Sequence, residues 1–346
     1  MTTHPPTPTP RRPRRGPLLS PLRYPGGKRR LVRYIERFFT INELRPSVFV
    51  EPFAGGASVS LHVLRRGLAE RVVLADVDPL VADFWKTVFH EHESEWLVEQ
   101  IERTRATLTR WRQIKASSPT TRRERAFACL FLNRTSFSGI LNDRAGPIGG
   151  MQQTSEYPID CRFPHETLIR RIREIATYRE QVTVWRRPWR LTLAEVSKQQ
   201  LRAGARRRVC YYFDPPFFEK AEYLYRFYFS AREHAHLRDG VLALKDDWLL
   251  SYDVADGLHK LWSGVERRRA HIELLYQMPQ RVATEAILSN LDLPGLHDGS
   301  PPTVVPPDAT PAPAVPRPDA ASVPAALPAE PPRVIAWTPV RPARTL

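Results

Sequence analysis

The sequence predicts an α/β protein organised on an open, mostly parallel sheet of about seven strands with helical crossovers. Three stretches carry that expectation. Val48-Phe49-Val50 is followed by Glu51-Pro52-Phe53-Ala54-Gly55-Gly56-Ala57-Ser58 and then the segment Val59 to Arg66, which is the order strand, Gly-rich loop, helix. Arg71 to Ala75 is a second apolar strand and ends at Asp76, where nucleotide-binding α/β folds set an acid against ribose hydroxyls. Val209 to Phe213 is a uniformly apolar run that stops at Asp214-Pro215-Pro216-Phe217-Phe218. Prolines lack the N–H that a ladder requires, so this strand ends with Asp214 at its carboxyl end, where open α/β sheets place their ligand crevice. On these residues alone, Asp214 is equally readable as the cap of the next segment.

The chain begins with Met1 to Pro17, all but devoid of residues to bury, and residues 1–17 are expected to form a disordered basic arm. Leu22-Arg23-Tyr24-Pro25-Gly26-Gly27-Lys28 reads as a turn feeding an amphipathic helix with Leu31, Ile35, Phe38 and Phe39 on one face. Gly26 and Gly27 would let backbone approach a ligand beside Lys28, although Pro-Gly-Gly by itself is an ordinary turn. The loop after the first strand departs from G-x-G-x-x-G, so a nucleoside without phosphates fits it better than a pyrophosphate. Asp76 is read as a ligand residue, and Asp78 as the cap of a helix starting near Pro79.

From Pro79 to Tyr178 the pattern is helical, over Val81 to Phe89, Glu95 to Ala116, Ala126 to Asn133 and Leu168 to Ala176. Within it, Arg134 to Gly150 is a Gly- and Ser-rich excursion with hairpin-like turn chemistry, and loops this long are usually functional. Asn133, Arg134, Ser136, Phe137, Asn142 and Arg144 are its candidate nucleic-acid contacts, reaching phosphates and base edges, with Phe137 as a wedge between bases. The plainer alternatives are a solvated loop with Phe137 beneath it and a helix C-cap role for Asn133. The α/β alternation then resumes with strands at Gln181 to Trp185, Val209 to Phe213 and Trp248 to Tyr252. It closes with a hairpin of His271 to Tyr276 and Ala283 to Ser289. Leu293 to Leu346 is rich in Pro and Ala, and residues 293–346 are expected to be a solvated tail.

The chain has 346 residues, 42% of them hydrophobic, which is ample for a core. Its formal charge of +15 points to a polyanionic partner, because Lys and Arg gain affinity by releasing counterions condensed on phosphates. The basic arm accounts for part of that charge, but Arg122, Arg123, Arg125, Arg134 and Arg144 lie inside the expected fold. Cys129, Cys161 and Cys210 are isolated, so reduced thiols and no metal site are expected. No apolar run reaches membrane-spanning length, and a soluble, cytoplasmic protein is expected.

Five segments stand in one order: Tyr24-Pro25-Gly26-Gly27-Lys28, FVEPFAGGAS (49–58), LADVD (74–78), NRTSFSGI (133–140) and DPPF (214–217). In that order the chain resembles the Dam-type (D12 class) DNA adenine-N6 methyltransferases over Leu18 to Leu291. The resemblance implies a Rossmann-like methyltransferase sheet formed by residues 18–86 and 179–292, with a helical DNA-recognition insertion at 87–178. It implies S-adenosylmethionine as methyl donor and adenine in double-stranded DNA as acceptor. By position, Asp214, Pro215, Pro216 and Phe217 correspond to the catalytic segment. Tyr24, Gly26, Gly27, Lys28, Glu51, Phe53, Gly55 and Asp76 correspond to the cofactor site. A monomer in a bacterial or phage-infected cell, with a cognate restriction endonuclease as a further partner, completes what the family suggests.

Two places depart from the family pattern. Phe217 stands where the family usually has Tyr, which keeps the π-face for stacking and loses a hydroxyl. Arg186-Arg187-Pro188-Trp189 stands where the family tends to place an acid against the cofactor's adenine amine. These departures leave open a degenerate methyltransferase that only holds DNA. Methylation of cytosine N4, RNA adenine or a protein glutamine is disfavoured, because the related motifs there tend to carry Ser or Asn ahead of Pro-Pro. A dehydrogenase lacks its G-x-G-x-x-G fingerprint here.

Overall fold

The computed structural model describes residues 20–294 except 204–206, 220, 254, 263–267 and 277–280. The expected basic arm and nearly all of the expected tail lie outside the described residues. Seven strands are β1 (Val48–Glu51), β2 (Arg71–Asp76), β3 (Val182–Arg186), β4 (Val209–Phe213), β5 (Asp247–Asp253), β6 (Arg268–Tyr276) and β7 (Arg281–Ser289). They lie in one sheet in the order β3-β2-β1-β4-β5-β7-β6. The first five strands run parallel, while β7 is antiparallel to both β5 and β6. The chain builds outward from β1 to β3 and returns to lay β4 on the other side of β1. The order therefore reverses between β1 and β4, and a crevice opens at their carboxyl ends.

The helices are α1 (Val32–Ile41), α2 (Ser58–Arg66), α3 (Pro79–Val88), α4 (Glu93–Arg103), α5 (Leu108–Ala116), α6 (Arg122–Thr135), α7 (His165–Ala176), α8 (Trp189–Arg202), α9 (Ala221–Leu224), α10 (Ala231–Leu242) and α11 (Asp256–Leu261). They cover both faces of the sheet. Phe49, Leu74, Cys210, Tyr212 and Leu249 point into a core shared with α1 to α4, α6 and α7. Val50, Val73, Tyr211, Phe213 and Leu250 point into a second core with α8, α10 and α11. Burial on both faces explains why Val209 to Phe213 is apolar at every position rather than at alternate ones.

The helical segment between β2 and β3 shares the sheet's core. Leu97, Ile101, Leu130, Phe131, Leu168 and Ile172 belong to the same apolar cluster as Phe49 and Leu74. The helical pattern expected across Glu95 to Ala116 is interrupted, because Thr107 caps a new helix by accepting from Arg110 N. Helix α6 starts at a capping box between Thr121 and Glu124 and runs two residues beyond Asn133, with Ser136 as its C-cap. Asn133 is therefore not the cap. The excursion that follows has only an isolated bridge, Ser136 to Pro147, rather than a hairpin. At the other end, Leu293 is buried and Tyr34 Oη donates to Pro294 O, so the body continues into the segment expected to be tail.

Candidate active site

The site is built where the turn before α1 meets the ends of β1 and β4. Pro215 and Pro216 end the β4 ladder, leaving Asp214 one residue beyond Phe213, the last residue paired to β5. Lys28 is 4% exposed, and its Nζ lies 2.7 Å from Asp214 Oδ1 while also donating to Gly26 O at 2.9 Å. Ser251 on β5 donates to the same Asp214 oxygen at 3.2 Å, and its hydroxyl lies 2.8 Å from Tyr212 Oη. Burial pushes the Asp214 carboxyl up, and the Lys28 ammonium and the Ser251 hydroxyl oppose that shift.

Two glycines make the junction possible. Gly26 has φ of +71°, and a Cβ there would lie 2.8 Å from the Phe217 ring. Gly55 has φ of +43°, and its Cβ would lie 2.8 Å from the Tyr24 ring. Any larger residue would separate the turn from the loops after β4 and β1. The Gly55 peptide is pinned from both sides, its N–H donating to Asp76 Oδ2 at 2.9 Å and its carbonyl accepting from Trp85 Nε1 at 2.8 Å. Phe217 meets Tyr225 edge to face at 5.7 Å between centroids, and Tyr225 Oη donates to Pro25 O. Phe53 is half-buried against Phe229.

The acids at the ends of β1 and β2 are buried. Asp76 takes one backbone N–H on each oxygen, from Gly55 and from Asp78. Asp78 caps α3 through Leu80 N and also pairs with Arg226 at 2.6 Å. Glu51 accepts from Ser60 Oγ at 2.5 Å and from Ser60 N at 3.3 Å, so one of its oxygens faces the first turn of α2. Burial and then the charge of Asp78 raise the Asp76 carboxyl to about 7, against the backbone N–H groups. Burial raises Glu51 to about 8, with Ser60 opposing and Asp214 and Asp76 adding to the rise.

These shifts carry a sign. Both folded-state values lie above those of exposed carboxyls, so the folded form holds the protons more tightly. The resulting stability is complete below the ordinary carboxylate range and is lost as pH rises through about 7 for Asp76 and about 8 for Glu51. The ligand-free protein is therefore expected to melt at a lower temperature at about pH 9 than at about pH 6, and Glu51→Gln to flatten the alkaline part of that decline. Calorimetric melting across pH, with and without the substitution, measures both.

The candidate DNA contacts divide. Asn133, Arg134, Ser136 and Asn142 are buried and bonded within the chain. Asn133 Oδ1 accepts from Arg23 N at 2.6 Å, and its amide donates to Arg23 O and Gly139 O. Ser136 accepts from Trp111 Nε1, and Asn142 donates to Tyr223 O. Arg134 donates to Arg162 O and lines a cavity of about 240 Å³ with Arg23, Arg29, Arg171, Ser58 and His62. Burial and the neighbouring guanidiniums of Arg23, Arg171 and Arg162 lower Arg134 to about 9. Expectations of base reading by Asn133, Ser136 and Asn142 are thus corrected: their polar groups are committed to holding the loop. Phe137, 45% exposed, and Arg144, exposed with its guanidinium over the Tyr223 ring, do reach solvent.

Reasoning along the sequence missed Ser251, Tyr225, Arg226 and Glu285. Each lies on a strand or turn with no motif of its own, and only strand pairing and chain reversal bring it to the site. The turn after β3 holds no acid: Arg187 N donates to Asp76 O, and its guanidinium covers the Trp185 ring at 4.6 Å. Among the described residues no cluster of ligands suits a metal ion, and no helix is long and apolar enough to cross a membrane. A model of the family described as D12 class N6 adenine-specific DNA methyltransferase matches residues 24–278, from the Tyr24 turn past β4 and β5. No curated protein matches the chain.

Proposed function

The chain belongs to the D12 class N6 adenine-specific DNA methyltransferases, and we propose that Asp214 is the residue that holds the adenine amine while S-adenosylmethionine is held by the loops after β1 and β2. The observation that carries this assignment is the 2.7 Å contact between Lys28 and Asp214, which joins the turn before α1 to the end of β4 at the sheet's reversal point.

The donor set suits a cationic nucleoside. Each Asp76 oxygen accepts one backbone hydrogen bond and keeps lone-pair capacity for a ribose diol. The carboxyl groups of Glu51, Asp76 and Asp214 lie around the place proposed for the sulfonium, whose positive charge would favour the ionised forms that burial opposes in Glu51 and Asp76, and Tyr24 and Phe53 supply flat apolar surface. The turn at Arg187 carries no acid for the cofactor's adenine amine, so more of the affinity rests on these groups. When bound, the cofactor supplies an electrophilic methyl carbon.

The exocyclic nitrogen of adenine is a poor nucleophile because its lone pair is delocalised into the ring. Asp214 and the Pro215 carbonyl accept its two hydrogens, which localises the lone pair and stabilises the positive charge that develops. The proton leaves the nitrogen after transfer, so Asp214 need not be a strong base. Phe217 is partly exposed and offers a face to an adenine flipped from the duplex, which costs a few kcal/mol. Exposed Arg144 and Phe137 support the excursion after α6 as a contact with the DNA. The enzyme is taken to act as a monomer.

Incubating the protein with labelled S-adenosylmethionine and duplex DNA, then digesting to nucleosides, is expected to yield N6-methyladenosine in its deoxy form. Label on cytosine or on RNA alone would overturn the assignment. DNA binding with no detectable cofactor binding would leave a DNA-holding protein instead.

A further inference from the structure

Glu285 on β7 lies outside the family match and carries no motif. It is 6% exposed, and its Oε1 lies 3.6 Å from Lys28 Nζ. Among the described residues its second oxygen, Oε2, is buried with no hydrogen-bond partner. A half-satisfied buried carboxyl is costly, and such a group calls for a chemical role that accounts for it. The charged and titratable groups facing it among the described residues are Lys28 before α1, Asp214 after β4 and Asp253 at the end of β5. The phenols of Tyr212 on β4 and Tyr225 after α9 complete the set.

Asp214 Oδ1 is engaged by both Lys28 and Ser251. An incoming amine draws on the same carboxylate, and an ammonium beside a nitrogen gaining positive charge opposes the reaction. Resting on the function proposed above, we infer that Glu285 is a positioning residue: it is the second seat of the Lys28 ammonium, which shifts from Asp214 to Glu285 as the adenine amine arrives. The shift is short. A charge-assisted bond needs about 2.8 Å, so Lys28 Nζ closes the gap by moving about 1 Å. Its donation to Gly26 O keeps it tethered to the turn throughout.

The seat works only when Glu285 is ionised. Burial raises its carboxyl to about 7, with Lys28 opposing and Asp214 and Asp253 adding to the rise. Single-turnover methyl transfer to duplex DNA, measured from about pH 5.5 to 9 at saturating labelled S-adenosylmethionine, is therefore expected to rise through about pH 7. Glu285→Gln is expected to lose that rise and to be slowed roughly 10- to 100-fold above it, with DNA affinity unchanged. Glu285→Asp keeps the charge on a shorter stem and is expected to recover part of the rate and the rise. A Glu285→Gln enzyme that retains the wild-type profile overturns the inference. So do Gln and Asp variants equally slowed with unaltered profiles, which marks a structural role. If the wild type itself makes no N6-methyladenine, the function proposed above falls first and takes this inference with it; an active wild type confines any failure to Glu285.

Discussion

Replacing Asp214 with alanine is expected to lower methyl transfer by at least about 10²–10³-fold, the scale of losing one preorganised electrostatic partner of a transition state. The Pro215 carbonyl alone would then accept from the amine, and the nitrogen lone pair would stay conjugated with the ring. The fold should survive. Removing one partner of a buried ion pair ordinarily costs about 3–5 kcal/mol, because a charge is left stranded. Here Lys28 retains the Gly26 carbonyl at 2.9 Å and has Glu285 at 3.6 Å, so the cost should fall below that range. DNA binding, measured at fixed salt, should be unchanged, since Asp214 contributes no positive charge. Transfer at the wild-type rate would remove Asp214 from its assigned role. Loss of both transfer and folding would show instead that the carboxylate is needed to balance Lys28.

Asn133→Ala is expected to act on stability rather than on DNA. Its side chain satisfies both polar groups of the Arg23 peptide unit and the Gly139 carbonyl, clamping the end of α6 to the segment that carries Tyr24 and Lys28. The approach is close: a Cβ on Gly139 would lie 1.8 Å from Arg23 O. Truncating Asn133 leaves three polar groups without these partners in a buried seam. A loss of roughly 2–4 kcal/mol is expected, since each unsatisfied buried group costs about 1–3 kcal/mol and neighbours relax together. For a domain of this size that is roughly a 5–10 °C fall in the melting temperature, readable by calorimetry. Turnover should fall with it as the turn bearing Lys28 loosens. A variant that melts normally but binds DNA weakly would return Asn133 to the DNA-reading role expected from sequence.

These two residues show where reading along the chain succeeds and where it stops. The place of Asp214 at a strand's carboxyl end was legible because its signal is local. A uniformly apolar run cut by two prolines states where a strand ends, and strand ends in this class of sheet face the ligand. The positions of Gly55 in the loop after β1 and of Asp76 at the end of β2 were legible for the same reason. The uniformly apolar run of β4 agrees with its burial on both faces, since burial acts on each residue in turn.

Asn133, Ser136 and Asn142 look the same in sequence whether they face water or a neighbour's backbone. Their side chains carry both donors and acceptors, and only the packing of α6 against the Arg23 segment and against Trp111 decided that those groups turn inward. Glu285 lay further out of reach. It stands 71 residues after Asp214 by its number and meets Lys28 only because β7 inserts antiparallel beside β5. Local chemistry, proline geometry and apolar runs are written in the sequence itself. Which buried charge faces which is a property of the sheet order, and only the tertiary structure decides it.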